Sequence, residues 1–280
     1  MDTRGMAYSL QGFNLYVRPQ VTARKPGNGG RSEIRSFSSS SAGRMRRYLR
    51  CCRAEYSVMV TLTYRDYPRD GRIAKAHLRA FIERCRRFNQ HNGKWSLFWF
   101  LEFQQRGAPH FHLFTNFRIP KEIVALWWSE IVDPDDQKLA SSCSRVEALR
   151  SGRWGTTAYA TKYAAKAGQK EVPENYTSVG RFWGACGDVS CQSLFFLVPL
   201  DLMGGELHKK LKEELRNLLE KTRGQWSRMK FGQADAYISG FRFKTRELAQ
   251  AVQVVLTRHA CMMSSKADVR FETPTMEVLE

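Results

Sequence analysis

Alternation of apolar and polar positions predicts strands in the first half of the chain. The run YSVMVTLTY, residues 56–64, is rich in β-branched residues and alternates regularly, which is typical of a strand inside a sheet. The runs WSLFWFLEF, residues 95–103, and PHFHLFTNF, residues 109–117, flank a short segment in which Gly107 permits a tight turn. These two runs are therefore predicted to pair as a hairpin.

Apolar residues that recur every three or four positions predict helices around these strands. In RIAKAHLRAFIERCRRFNQ, residues 72–90, arginines separate a buried stripe predicted at Ile73, Ala76, Leu78, Phe81, Ile82 and Cys85. The segment PKEIVALWWSEIV predicts a helix with proline at its first position, RMRRYLRCCR one or two basic helical turns, and DLMGGELHKKLKEELRNLLEKTRG a charged amphipathic helix.

Weaker patterns complete the organisation of the chain. Short strands are predicted for FNLYVRP, SSCSRVEAL and SLFFLVP, and the Gly- and Ser-rich residues 25–43 are predicted to form a mobile loop or linker. A change in composition places a boundary near residue 200, and residues 225–280 hold no assignable pattern. We therefore expect an N-terminal segment with a flexible linker at 1–43, a main domain at 44–200 and a mainly helical region at 201–280.

The charge balance favours a nucleic acid as the partner. The 280 residues include 45 Lys and Arg against 27 Asp and Glu, which gives a net charge of +18 and a pI near 9.9. The excess is +8 in residues 1–60, +7 in 61–200 and +3 in 201–280, so the first two thirds are the expected binding region. The sequence has no run of about 18 uninterrupted apolar residues, and its first residues, MDTRGMAYSL, lack the apolar core of a signal peptide, which predicts a cytoplasmic protein without a membrane partner.

Seven cysteines form an odd set without a C-x-x-C spacing. That count argues against a secreted disulfide framework and against a four-thiolate zinc site, and favours buried free thiols. Cys186 and Cys191 remain a weak candidate for a redox or metal pair.

Candidate metal ligands lie in the predicted hairpin. Residues two apart on a strand point to the same side, so His110 and His112 share one face. If the hairpin is symmetric about Arg106, Glu102 lies opposite His110, within about 5 Å between Cβ atoms. Two imidazoles and a carboxylate suit a divalent ion with open positions. The alternative is that H-x-H is accidental and Glu102 is solvated.

A repeated Y-x-x-K pattern is the second candidate constellation. The alanine-rich segment TTAYATKYAAKAG, residues 156–168, favours a helix, on which Tyr159 and Tyr163 share a face and Lys162 and Lys166 lie close by. The segment alone also fits tyrosines in a core and lysines at a solvated edge.

The order VTLTY, then Glu followed eight residues later by HFH, then YATKYAAK resembles the three motifs of HUH endonucleases. Within that superfamily the doubled Y-x-x-K is most similar to rolling-circle initiators of single-stranded DNA bacteriophages, of the microvirus gene A type, and to related filamentous-phage and plasmid proteins. The resemblance covers about residues 56–170. It implies an α+β fold in which a central antiparallel, RRM-like sheet is flanked by helices, followed here by a C-terminal helical appendage.

The resemblance also implies roles for the candidate residues. His110, His112 and Glu102 would bind Mg²⁺ or Mn²⁺, Tyr159 and Tyr163 would be nucleophiles, and Lys162 and Lys166 would lie near the scissile phosphate. The expected substrate is single-stranded or locally melted origin DNA in the cytoplasm of a bacterial host. Because the sequence has no G-x-x-x-x-G-K-[ST] motif, a host helicase is expected to separate the strands and a host DNA polymerase to extend the primer.

Two other functions remain open at this point. A relaxase or transposase would use the same nucleophile on different DNA, and a non-catalytic nucleic-acid-binding protein would need only a structural metal. Basic residues 44–53 and the arginines of residues 79–87 are candidates for contacts with backbone phosphates, although a solvated helix face explains them equally well. Trp183 is expected to pack in a core rather than stack on a base.

Overall fold

The computed structural model describes residues 3–11, 14–21, 34–91, 93–136, 142–149, 171–189, 193–229, 239–263 and 268–270. The strands are β1 (Thr3–Gln11), β2 (Asn14–Val21), β3 (Val58–Leu62), β4 (Ser96–Phe103), β5 (Pro109–Thr115), β6 (Ser144–Ala148), β7 (Trp183–Gly187), β8 (Ser193–Pro199), β9 (Trp226–Arg228), β10 (Ser239–Phe243) and β11 (Asp268–Arg270). The helices are α1 (Ser39–Cys51), α2 (Gly71–Phe88), α3 (Lys121–Val132), α4 (Glu206–Lys221) and α5 (Arg246–Met262). The fold class is α+β, as predicted.

The chain divides into two compact units. The first comprises residues 1–29, 50–52 and 191–275, and the second comprises residues 30–49, 53–190 and 276–280. The second unit contains a five-stranded antiparallel sheet in the order β6-β3-β5-β4-β7. The predicted strand at residues 56–64 is therefore an interior strand, and the two runs on either side of Gly107 form the predicted hairpin.

One face of this sheet packs against α2 and α3. Odd-numbered side chains of β4 and β5, such as Trp99 and Phe111, belong to the same buried cluster as Leu78, Phe81 and Trp128 from the helices. Helix α2 begins at Gly71 because the Asp70 carboxylate accepts a hydrogen bond from the Arg72 amide at 2.8 Å. Because this apolar cluster covers one face of the sheet, other elements can pack only on the opposite face.

Helix α2 was predicted correctly, but its buried stripe was assigned wrongly at two positions. Ile73 and Ala76 are exposed, while Gly71 and Ala74 are buried together with the predicted Leu78, Phe81, Ile82 and Cys85. Burial thus recurs three or four positions apart from residue 71 onward. Helix α3 also differs slightly, because Pro120 precedes the first helical residue instead of occupying it.

Helix α1 packs on the opposite face of the five-stranded sheet. The Tyr48 ring stacks on Phe98 with 5.8 Å between centroids and lies 6.0 Å from the Trp183 ring. The Trp183 indole donates a hydrogen bond to Ser41 Oγ at 3.1 Å. Trp183 is therefore a packing residue, as predicted. The helix begins at Ser39, so the predicted loop at 25–43 is wrong for its last residues.

Strand β7 was not predicted, because its two glycines weaken the strand pattern. The structure shows a packing reason for one of them: a Cβ on Gly184 would lie 2.8 Å from Trp99 Nε1, closer than carbon and nitrogen tolerate. Glycine therefore allows β7 to approach the Trp99 indole. Any larger residue would displace the strand or the ring.

The other unit contains a six-stranded sheet in the order β11-β8-β1-β2-β10-β9. Its core joins Tyr8 and Leu15 of the sheet to Leu211 of α4 and to Val252 and Leu256 of α5. The C-terminal region is helical over α4 and α5, as predicted, and also supplies three unpredicted strands. The boundaries at residues 43 and 200 stay predictions, but strand pairing joins segments on both sides of each.

Within the described ranges, no helix is both long and apolar enough to cross a membrane.

Candidate functional site

The β4–β5 hairpin sets the register of the candidate ligands. Gly107 has a φ of +85°, which favours glycine, and its amide donates to Gln104 O at 2.8 Å. Glu102 pairs directly with His110, as the symmetry about Arg106 predicts. Since paired residues project to the same side, Glu102, His110 and His112 share the sheet face on which α1 packs.

Arg106 anchors the hairpin turn to the segment that follows β3. Its guanidinium donates hydrogen bonds to the carbonyl oxygens of Tyr64 and Arg65, and the Tyr67 hydroxyl donates to Arg106 O at 2.8 Å. The Arg106 Nε also donates to Gln104 Oε1 at 3.1 Å. These contacts hold the turn, and with it the end of the sheet that carries His110, in one position.

His112 is enclosed on three sides. Its ring stacks on Phe100 with 4.8 Å between centroids, its Nδ1 lies 3.4 Å from Thr61 Oγ1, and its Nε2 lies 3.3 Å from Glu102 Oε2. Only 4% of His112 and 3% of Glu102 are exposed. The register that pairs Glu102 with His110 also pairs Phe100 with His112, and Thr61 belongs to the VTLTY motif.

His110 lies beside His112 but has different contacts. The two imidazole centroids are 4.6 Å apart, and His110 Nδ1 lies 3.4 Å from the Gln104 amide nitrogen. His110 is half-buried, so it lies nearer the surface than His112. No group of three or more His, Cys, Asp or Glu side chains in the described part of the chain is arranged to hold a metal ion. The register brings the three predicted residues to one face, while their side chains do not converge on one point.

The unpaired oxygen of Glu102 fits a bound cation. Glu102 Oε1 is buried and finds no hydrogen-bond partner among the described residues. A buried carboxylate oxygen without a partner is costly, and a cation would satisfy it. Glu102 Oε2 and His112 Nε2 lie 3.3 Å apart, so a carboxylate oxygen and an imidazole nitrogen, two ligand types that divalent ions accept, are adjacent here.

The two predicted basic segments differ in position. Helix α1, which carries most of residues 44–53, packs on the face that holds the histidines. Helix α2 lies over the other face, where the Lys75 ammonium is 4.1 Å from the Trp99 ring centroid. On α2, Arg84 pairs with Glu130, and Arg86 and Arg87 pair with Glu83, which lowers the pKa of that carboxyl to about 2. The structure therefore favours α1 over the arginines of residues 79–87 as the segment near the site.

The remaining sequence candidates are the two tyrosines and two lysines of the Y-x-x-K repeat and the cysteine pair Cys186 and Cys191. Tyr159, Lys162, Tyr163 and Lys166 lie outside the described residues, as does Cys191. Cys186 is a buried free cysteine, and burial raises the pKa of its thiol to about 11. A thiol with that pKa remains protonated near neutral pH, which makes it a poor nucleophile and a poor ligand.

Comparison with known proteins places this region in a family context. Residues 57–168 match the family of replication-associated proteins of the ORF2 and gene 2 protein type. The chain is 28% identical over 194 residues to the replication-associated gene 2 protein of Pseudomonas phage Pf3, across 63% of this chain and 67% of that protein. It is 27% identical over 180 residues to a putative replication protein of Xylella fastidiosa, across 56% of this chain and 63% of that protein. No solved structure gives a significant match.

Proposed function

We propose that this chain, whose residues 57–168 match the family of replication-associated proteins of the ORF2 and gene 2 protein type, initiates rolling-circle DNA replication. In this proposal it nicks one strand at an origin, keeps the 5′ end as a phosphotyrosine and leaves a free 3′-hydroxyl as primer. The observation that carries the proposal is the hairpin register, which puts Glu102, His110 and His112 on one face of a sheet inside the matched region. The replication proteins among its relatives favour this role over a relaxase, a transposase or a non-catalytic binding protein.

Glu102, His112 and His110 would hold a divalent ion, either Mg²⁺ or Mn²⁺. Such an ion supplies Lewis-acid polarisation of a non-bridging phosphate oxygen when bound. The protein keeps this region dry through Phe100 and the neighbouring aromatic rings, which strengthens every charge interaction made there. The sheet therefore contributes a rigid, partly water-excluded support for one phosphate group.

The tyrosines would supply the nucleophile. A phenol with an ordinary pKa near 10 is mostly protonated at neutral pH, so the ammonium groups of Lys162 and Lys166 would ease its ionisation. The phenolate of Tyr159 or Tyr163 attacks phosphorus, the bond from phosphorus to the 3′-oxygen breaks, and that oxygen leaves as a hydroxyl after taking up a proton. The new phosphotyrosine ester conserves the bond energy, so a later attack by a 3′-hydroxyl rejoins the strand without ATP.

Basic residues would supply most of the affinity for DNA. The chain carries a net charge of +18, and the arginine-containing helix α1 packs on the face that holds the histidines. Partners for a complete replication round would be a host helicase and a DNA polymerase. The bacterial cytoplasm would be the location of this process.

We expect binding and cutting to depend on salt and on strand accessibility. Raising NaCl from about 50 to about 200 mM should weaken binding strongly, because bound cations on DNA are released when basic side chains replace them. Single-stranded and negatively supercoiled DNA from the replicon that encodes the chain should be nicked in Mg²⁺ or Mn²⁺, whereas relaxed duplex should not. Agarose electrophoresis measures the nicked product, and equal cutting of relaxed duplex would contradict the proposal.

Thr61 is expected to position His112. The substitution Thr61→Val keeps the β-branched shape but removes the hydroxyl 3.4 Å from His112 Nδ1, so the imidazole loses the contact opposite Glu102. Removal of such a supporting contact should weaken Mn²⁺ binding by about 10-fold or more. Isothermal titration calorimetry measures that affinity without any DNA.

Thr61→Ser is the matched variant, because it restores the hydroxyl on the same strand. It should bind Mn²⁺ nearly as well as the original chain. If Thr61→Val binds Mn²⁺ with unchanged affinity, Thr61 does not position His112.

A further inference from the structure

One line of side chains crosses the five-stranded sheet on the face that holds the histidines. Arg145 on β6 pairs with Thr61 on β3, Thr61 with His112 on β5, His112 with Phe100 on β4, and Phe100 with Trp183 on β7. Directly paired residues project to the same side of a sheet. The five residues Arg145, Thr61, His112, Phe100 and Trp183, here called the His112 row, therefore lie side by side.

The two ends of the His112 row differ in chemistry. At the β7 end, Trp183 is held under α1 by its hydrogen bond to Ser41 and its contact with Tyr48. At the β6 end, the Arg145 side chain is 72% exposed. The solvent-exposed end of the row is therefore the positively charged Arg145. The polar Thr61 lies between Arg145 and His112.

Arg145 is within reach of a ligand that also lies at His112. Neighbouring strands are about 4.8 Å apart, so two strand spacings put the Arg145 backbone roughly 10 Å from that of His112. An arginine side chain bridges much of that distance. A phosphate held beside His112 would therefore leave the next phosphate of the same DNA strand close to the guanidinium.

Arg145 forms a surface salt bridge with Glu147 that a DNA phosphate could replace. Its Nη2 lies 2.7 Å from Glu147 Oε1, and Glu147 is two residues along the same strand, on the same face. Both side chains are substantially exposed, and such surface pairs contribute little free energy. A DNA phosphate can replace the carboxylate, because a guanidinium binds phosphate through two parallel hydrogen bonds.

We propose that Arg145 is a substrate-binding residue that holds a backbone phosphate of single-stranded DNA one nucleotide step from the phosphate at His112, and that Glu147 competes for it. The inference rests on the proposed function, since it places the same strand across the same face. It assigns β6 to the DNA-binding surface. It also predicts opposite effects for two neighbouring residues on one strand.

The test is binding of a 5′-fluorescein-labelled thirty-nucleotide oligo-dT, measured by fluorescence anisotropy without divalent ions over a series of NaCl concentrations. Arg145→Ala should bind about 5-fold more weakly at about 50 mM NaCl, and the slope of log affinity against log salt should fall by about 0.7, the value for one phosphate contact on a single strand. Arg145→Lys should recover most of that slope. Glu147→Gln should bind at least as tightly as the original chain.

Arg79→Ala is the matched control, because Arg79 is an exposed arginine on α2, which covers the other face of the sheet. It should leave affinity within about 2-fold and the slope unchanged. Equal effects of Arg145→Ala and Arg79→Ala would overturn the inference and leave the proposed function standing if the chain still forms a covalent DNA adduct in Mn²⁺. An original chain that neither binds the oligonucleotide nor forms an adduct would overturn both.

Discussion

The double substitution His110→Ala, His112→Ala is expected to lower DNA nicking by at least about 10³-fold, because it removes two of the three residues proposed to bind the divalent ion. DNA affinity should change little, since it comes from basic side chains that remain in place. Nicking is measured on single-stranded DNA in Mn²⁺, and affinity on the same DNA without the metal. Full nicking by the folded double variant would contradict the assignment.

His112 is buried against Phe100, so its removal also leaves a cavity that can reduce stability. The variant His110→Gln, His112→Gln keeps more of the side-chain volume and should show the same loss of nicking. His91→Ala is the matched control, because His91 is an exposed histidine just beyond α2. It should nick like the original chain, and circular dichroism melting checks that all three proteins are folded.

Replacing both tyrosines, Tyr159→Phe with Tyr163→Phe, is expected to eliminate every covalent DNA adduct. Phenylalanine keeps the ring and removes only the hydroxyl that attacks phosphorus, so packing should be preserved. Either single variant should still form an adduct with an origin oligonucleotide, because one phenol remains on the same face of the helix predicted for residues 156–168. Denaturing gel electrophoresis separates the adduct from free protein.

The single variants should nonetheless fail at repeated rounds of replication. In the proposed mechanism one tyrosine would hold the 5′ end of the parental strand after the first cut, so a second nucleophile would have to cut the regenerated origin while the freed 3′-hydroxyl attacks the first phosphotyrosine. The Y-x-x-K repeat, one turn apart on the predicted helix, would provide that second nucleophile and its lysine. If one single variant abolishes all adducts while the other supports continuous turnover, the alternating mechanism is wrong and the repeat is largely structural.

Local rules predicted the hairpin and its register because every signal there agreed. Gly107 marked the turn, H-x-H followed the two-residue period of a strand, and the symmetry about Arg106 paired Glu102 with His110. In this register the two-residue period also puts Trp99 and Phe111 on the same buried face of the sheet. For this reason the sequence alone predicts where the backbone places the candidate ligands in the hairpin.

Contacts between distant segments could not be predicted in the same way. The Thr61 contact with His112 and the position of Arg145 depend on how β3, β5 and β6 are ordered, which a single sequence does not specify. Strand β1 pairs with β8 across most of the chain, and β9 and β11 are three residues long. Such short strands carry too few alternating positions to be recognised.

The arginines of α2 show how composition can mislead. Their number suggested a DNA-binding face, but α2 covers the face of the sheet opposite the histidines. A sequence count treats every basic residue alike. The structure distinguishes α2 from helix α1, which packs on the side of the sheet that carries the histidines.

The most direct test of the proposed mechanism is to identify the residue that becomes attached to DNA. The original chain is incubated with Mn²⁺ and single-stranded DNA from its own replicon, the adduct is digested with nuclease and trypsin, and the peptides are analysed by mass spectrometry. Trypsin cleaves after Lys162, so Tyr159 falls in the peptide WGTTAYATK and Tyr163 in YAAK. The expected result is a nucleotide-derived mass on one or both of these peptides. Cleaved DNA with no modified peptide, or with the modification on any other residue, would contradict the mechanism.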